Sequence, residues 1–516
     1  MTALVAGPIL IPAIAAPILI LARLRPDLQR VLSGVFTALL LAATLASYAL
    51  AADGTIRPYL LGAWPAPFGI VLVLDRLAAT MALLSAVLGC AVLCYAVGSR
   101  WDRRGHHFHV LFQFQLMGIN GAFLTADLFN LFVFFEVMLI ASYGLLLHGG
   151  GARRLAAGFQ YVAINLVGST LFLFAVGLIY AVTGTLNMAD LAGKVAQVQP
   201  GDSALLRTGA LLLFLVFALK AAVVPLHWWL PTAYGAAPAP VAAIFAILTK
   251  VGAYSIIRIY TLVFGADAGP AAGIAGPWLV PGALGALVVG AIGVLASRTL
   301  VNLVSFAVVW SMGSLLVVVA LFDARSLSAA LYYTLHSTLI AGALFLLAEM
   351  IALRRGAARD LLVPAPPVLG AAVLGAMFFV AGIAMAGLPP LSGFAGKLLI
   401  LEASRSAPAA SWIWGIVLAT TLVVVLGFAR AGTTLFWKAE AIEPSVPAPA
   451  PPPHYASLVP PAACAALIAG TLALSLFAGP VTRHLDAAAA QILDTRAYVA
   501  AVLSPAHTGA VASERR

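Results

Sequence analysis

Apolar runs of about twenty residues recur roughly every thirty positions along this chain, separated by short stretches rich in Gly, Pro, Arg and Asp. A run of that length, coiled as a helix, crosses the hydrocarbon core of a bilayer. The pattern predicts helices near 4–22, 31–51, 77–98, 107–125, 128–147, 156–182, 205–230, 239–264, 277–296, 299–321, 327–353, 367–403, 411–436 and 457–479, about fourteen spans. The expected class is an all-α polytopic membrane protein. In the first run the arginines follow the apolar residues and do not precede them, unlike a secretory signal, so a retained first span is expected.

Two spans are interrupted. Pro225 and Pro231 break the seventh, and Gly387, Pro389, Pro390 and Gly393 break the twelfth. Backbone groups freed at membrane depth must be satisfied by protein or water, so polar cavities are expected near Pro225 and Pro390. Interruptions at corresponding places in two halves also mark inverted-repeat transporters. The stretch TGTLNMADLAGKVAQVQPGD reads as a polar, roughly amphipathic connection on the outer surface, and EAIEPSVPAPAPPPHY as a proline-rich linker.

Composition sharpens the class. Of 516 residues, 63% are hydrophobic and 9% charged, which excludes a water-soluble domain of this size. The net charge of +10 is carried by scattered clusters without aromatic interleaving, so no nucleic-acid partner is expected. Arginines gather at Arg23, Arg25 and Arg30, at Arg100, Arg103 and Arg104, at Arg153 and Arg154, and at Arg354, Arg355 and Arg359. Each cluster follows an odd-numbered span, so these connections are expected to face the cytoplasm and both termini the outer side. Three cysteines inside apolar runs provide no metal or iron–sulfur spacing. His106, His107 and His109 beside arginines suit a solvated interface better than a metal site. Gly396-Lys397 could end a phosphate-binding loop, but Leu391 stands where its first glycine belongs. No cofactor, metal or enzymatic motif is expected; transport is.

The candidate chemistry lies inside the spans. Glu136, Lys220, Lys250, His336 and Lys397 each fall on a different helix or half-helix, where a charge at mid-bilayer costs about 2.5–3.5 kcal/mol and asks for a role. One carboxylate among three lysines and a histidine suits a proton relay and not an oxygen-ligand cation cage. Burial can lower a lysine pKa by about 3 to 5 units and a nearby carboxylate restores it, so Glu136 is expected to modulate Lys220 as a proton carrier. His227, beside the first break, is a possible further member or a hydrogen-bonded helix-end residue. Glu349 is expected to pair with Arg354 or Arg355 at a membrane face.

The motifs DLFNLFVFFEVMLIASYGLL, KAAVVPLHWWLP, APVAAIFAILTKVGAYSIIRIY and GLPPLSGFAGKLLI resemble the antiporter-like subunits shared by respiratory complex I and the multisubunit Mrp (Mnh or Pha) cation/proton antiporters. YLLGAWPAPFGIVLVLDRLAA brings the resemblance nearest to the D-type subunits of the Mrp branch. It implies fourteen transmembrane helices, with three N-terminal helices in residues 1–106, a first inverted five-helix repeat in 107–264 and a second in 277–436. The linker, last helix and tail take 437–516, and helices 7 and 12 are discontinuous. The resemblance further implies a polar axis through Glu136, Lys220, Lys250, His336 and Lys397, a place in a bacterial inner membrane, and partner subunits of the A, B, C, E, F and G types. Protons and Na⁺ or K⁺ would be the transported ions. Ile340 and Tyr234 stand where complex I relatives usually carry a lysine and a second histidine, which favours the Mrp branch. Within that branch, the 516 residues do not include the long C-terminal extension of the larger, A-type subunits. The alternative is a proton-pumping subunit of a complex I-like redox enzyme or membrane-bound hydrogenase, whose redox centres would sit on other subunits.

Overall fold

A computed structural model describes residues 3–64, 68–366, 370–438 and 457–504. The first part of the chain folds as α1 (Ala3–Leu21), α2 (Pro26–Ala51), β1 (Arg57–Leu60), β2 (Val71–Leu74) and α3 (Arg76–Gly98). Then come α4 (Phe108–Leu124), α5 (Leu128–Leu147), α6 (Ala152–Thr183), α7 (Met188–Val195), α8 (Ser203–Lys220), α9 (Trp229–Ala236), α10 (Ala239–Phe245) and α11 (Leu248–Leu262). The remainder is α12 (Gly276–Ala296), α13 (Leu300–Val319), α14 (Ala324–Ala352), α15 (Ala371–Ala386), α16 (Ser392–Ala403), α17 (Ala410–Gly432), α18 (Val459–Leu476), α19 (Ala478–Leu493) and α20 (Thr495–Leu503). Among the described residues, twelve helices are long and apolar enough to cross a membrane, and α4 and α15 are shorter apolar helices. This is a multi-pass membrane protein.

Short polar residues start the helices. Asp75, Asp127, Thr299 and Asp323 cap α3, α5, α13 and α14, each side chain accepting from a backbone N–H of the first turn. Beside the helices the structure carries one small antiparallel hairpin of β1 and β2, Arg57 opposite Leu74 and Leu60 opposite Val71. A run of VLVL buried on both faces, next to Pro and Gly turn residues, is strand chemistry that periodicity over longer windows misses. The amphipathic connection folds in part as the short helix α7, with Asn187 as its cap. The proline-rich linker lies outside the described residues. The tail folds back as α19 and α20: Ser328 donates to Asp486 at 2.6 Å, and Gln491 bridges the Arg76 N–H and the Gly54 carbonyl.

Two helix pairs pack in the same way. The backbone of Gly118 in α4 abuts Met138 of α5 and Gly121 abuts Phe134, while Gly290 in α12 abuts Trp310 of α13 and Gly293 abuts Phe306. A Cβ at any of the four would lie 2.1–2.6 Å from the neighbouring helix. The second set is displaced from the first by one constant number of residues, and the helix caps Asp127 and Thr299 are displaced by the same number.

The arginine-bearing connections share one end of the bundle. Arg30 pairs with Asp102 at 2.5 Å and Arg103 with Asp27 at 2.6 Å, while Arg104, Arg153, Arg154 and Arg359 line one cavity of about 160 Å³. His109 is buried against Asp102 at 3.3 Å and is not part of a solvated cluster, because the carboxylate already held by Arg30 gives the ring an acceptor.

Candidate functional site: a chain of buried cations through broken helices

Both broken spans are seen as pairs of half-helices. Helix α8 ends at Lys220, and residues 221–228 run without regular helix to α9; α15 ends at Ala386, and residues 387–391 lead into α16. The peptides Val224-Pro225 and Pro389-Pro390 are cis. The predicted span 239–264 also divides, into α10 and α11, at Ala246 and Ile247.

Glu136, half-buried in α5, accepts a short hydrogen bond from the Ser169 hydroxyl of α6. One turn away on α6, Asn165 Oδ1 accepts from Lys220 Nζ at 2.7 Å. The Asn165 amide is itself fixed, its Nδ2 donating to the Tyr161 carbonyl at 2.7 Å. Glu136 and Lys220 form no ion pair in the described structure, each being hydrogen-bonded to a neutral side chain of α6. Lys220 stands in the last turn of α8, the end of a helix whose dipole favours a cation.

Close packing brings the next member in. A Cβ on Gly252 would meet Ala221 N at 2.6 Å, so α11 can approach the end of α8 only with glycine there. This sets the fully buried Lys250, in the first turn of α11, beside the first break; its Nζ has no hydrogen-bond partner among the described protein atoms. His336 of α14, also fully buried, shares a 2.8 Å hydrogen bond between Nδ1 and Ser392 Oγ at the start of α16. Lys250 and Lys397 are both near enough to act on the imidazole electrostatically.

Lys397 follows its break in sequence, yet its Nζ reaches back across it to the Ala386 carbonyl at 2.5 Å, the last residue of α15, and to Thr421 Oγ1 at 2.8 Å. Gly387 makes this possible: its φ of +75° suits glycine, and a Cβ there would lie 3.0 Å from Nζ. Lys397 Nζ thus sits by the carbonyl end of α15, as the Lys220 backbone stands at the end of α8, although Lys220 precedes its break and Lys397 follows its own.

One expectation needs correction. Glu349 does not pair with Arg354 or Arg355; its carboxylate accepts from Tyr95 OH at 2.8 Å and Trp101 Nε1 at 2.6 Å, while Arg355 donates to the carbonyls of Arg359, Leu361 and Val363. The aromatic donors come from a region far away in sequence. A cavity of about 540 Å³ with Arg153, Gln160, Thr232 and Asn302 in its lining adjoins Pro231, and a cavity of about 170 Å³ by the second break is lined by Phe378, Phe379, Ile383, Leu388 and Phe428 and is apolar. Finally, the buried charges include a pair that the spans alone do not reveal: Arg258 of α11 holds Asp75, the cap of α3, at 2.6 Å, both nearly inaccessible. His227 is half-buried in the first break, its Nδ1 unpartnered among the described residues, and it touches no other member of the chain of cations by hydrogen bond. Asn165 and Ser169 also escape a reading of the sequence, though polar residues four apart in an apolar helix are the available signal.

Residues 125–426 match the family described as NADH:quinone oxidoreductase/Mrp antiporter, transmembrane. The chain belongs to this family. Within it, a Rhizobium meliloti protein named as a probable K⁺/H⁺ antiporter subunit of the D type is 41% identical, the match covering 97% of this chain and 98% of that one. A D-type Na⁺/H⁺ antiporter subunit of Bacillus subtilis is 37% identical over 96% and 98%. A chain of the solved Mrp complex from a Dietzia species superposes with a TM-score of 0.84 at 28% identity, covering 98% of this chain and 99% of that one. Glu136, Lys220, Lys250, His336 and Lys397 all lie inside the matched residues of the Mrp antiporter family.

Proposed function

We propose that this chain is the D-type member of a multisubunit cation/proton antiporter in a bacterial inner membrane, and that it carries protons along Glu136, Lys220, Lys250, His336 and Lys397. The observation that carries the reading is that Lys220, Lys250 and Lys397 are buried on successive broken elements and none of them is ion-paired in the described structure. Structural cations are normally neutralised when buried, as Arg258 is here by Asp75. Cations left with neutral partners at membrane depth fit groups that gain and lose protons. The carboxylate of Glu136 sets how tightly Lys220 holds its proton: nearer it favours the ammonium, farther it favours release.

The matching pairs of glycine contacts support two five-helix repeats, with the breaks at equivalent places. The relatives named for K⁺/H⁺ and Na⁺/H⁺ exchange support a monovalent cation as the exchanged ion and other antiporter subunits as partners. Each charge crossing 100 mV supplies about 2.3 kcal/mol, so proton entry can drive cation export when more protons enter than cations leave.

The test is proton flux in everted vesicles holding the whole complex, with Na⁺, K⁺ and Li⁺ compared. Cation-dependent flux that is lost in Lys250→Ala at normal complex abundance is expected. Flux indifferent to every cation, or unchanged in that variant, would overturn the reading.

A further inference from the structure

The two terminal lysines differ in what accompanies them. Near Lys220 stands the carboxylate of Glu136; the helix packed like α5 in the second unit is α13, and the position there that matches Glu136 by the common displacement is Val308. Two residues on, where α5 has Met138, α13 has Trp310. Trp310 is fully buried, and Lys397 Nζ lies 3.9 Å from the centroid of its ring. That is well inside the roughly 6 Å over which an aromatic face attracts a cation, and indole is the strongest such face. The ring is held in place by its own N–H, which donates to Thr420 Oγ1 at 3.1 Å, while the adjacent Thr421 holds the ammonium.

We infer that Trp310 is the positioning residue for Lys397, its indole face doing for this ammonium what the Glu136 carboxylate does for Lys220. The surroundings leave few other groups to do so. Helices α13, α15 and α18, which pack against α16, contain no Asp, Glu, Lys, Arg or His; Cys464 of α18 bonds the Ala343 carbonyl. Arg430 of α17 is bonded to the Ser297 carbonyl, Glu402 lies further along α16 itself, and α14 contributes His336, Tyr332 and Tyr333. An indole does not titrate. The first carrier therefore has a partner whose charge and position can change, and the second has one whose attraction is constant.

This inference rests on the relay reading, and the experiment separates the two. Proton flux per assembled complex is measured against pH in everted vesicles for the parent, Lys397→Ala, Trp310→Leu and Trp310→Phe. Removing the ring withdraws an attraction felt by the ammonium alone, so more acid is needed to charge Lys397. In Trp310→Leu the high-pH limb of the profile is expected to move about one unit to lower pH, and in Trp310→Phe, which keeps a weaker face, by less. Lys397→Ala is expected to abolish flux at normal abundance. If Lys397→Ala keeps its flux, relay and inference both fall. If Lys397→Ala is inactive but neither Trp310 variant shifts the profile, the inference alone falls. Should Trp310→Leu fail to assemble, an unshifted profile in Trp310→Phe overturns it. A purely structural tryptophan would lower abundance and leave the profile per complex where it was.

Discussion

Lys220 gives its hydrogen bond to Asn165, and the carboxylate that should govern it is held one turn away by Ser169 of the same helix. Helix α6 thus gives Glu136 and Lys220 separate neutral partners, Ser169 and Asn165. The amide also gives the ammonium an acceptor without fixing its charge, as a carboxylate there would.

Asn165→Asp puts a negative charge at that acceptor with almost no change of shape. A charge-assisted bond of about 1.5–3 kcal/mol then has to be broken each time Lys220 releases its proton. Flux per assembled complex should fall at least about tenfold while abundance holds. Parental flux in this variant would show that the Lys220 partner is immaterial.

The Asp75–Arg258 pair behaves differently, as a buried clamp between the start of α3 and α11, with Tyr498 of the tail 5.3 Å from the guanidinium. Asp75→Leu or Arg258→Met alone leaves one buried charge unpaired, at a cost of about 3–5 kcal/mol, whereas the double variant removes both charges. Melting of the detergent-solubilised complex should show a large drop for each single variant and substantial recovery for the double. Equal and additive losses would contradict the clamp.

A third forecast concerns pH at the arginine-bearing end. Burial pushes the Asp102 carboxyl up, but hydrogen bonds from Arg30 and His109, with their charges, outweigh this and hold it below its ordinary value. The unfolded chain therefore binds that proton more tightly than the folded one. The stability gained is complete above the ordinary carboxylate range and is lost as pH falls through the lower folded value. Asp102→Asn should melt earlier than the parent at pH 7, and the two should converge below about pH 4. A gap that does not narrow on acidification would mean that shape, not charge, makes the contribution.

What is legible in the sequence follows from how strongly each feature departs from bilayer chemistry. Twenty apolar residues with a mid-span Glu136, or prolines at 225 and 389–390, stand out against a uniform background, and the spans and breaks lie near where they are expected. Asn165, Ser169 and Trp310 are ordinary residues for a transmembrane helix, and they become informative only when α6 and α13 bring them to Lys220 and Lys397. For Glu349, neighbours in sequence suggest the wrong partners, because only folding brings Tyr95 and Trp101 near. Arg258 is inconspicuous in a span dominated by Lys250, and its partner Asp75 looks like nothing more than a helix cap. The small hairpin before α3 escapes because four-residue strands leave little periodicity to read.

The central claim is that the charge of Glu136 governs proton transfer at Lys220, and Glu136→Gln tests it most directly. Glutamine keeps the size and can still accept from Ser169, so the packing of α5 on α6 is preserved while the charge is gone. The measurement is cation-dependent proton flux in everted vesicles, divided by the amount of assembled complex in the same membranes. The relay account predicts normal abundance with flux reduced at least about tenfold, since a lysine without its counter-charge no longer takes up protons in the cycle. Flux that stays proportional to abundance in Glu136→Gln would contradict it.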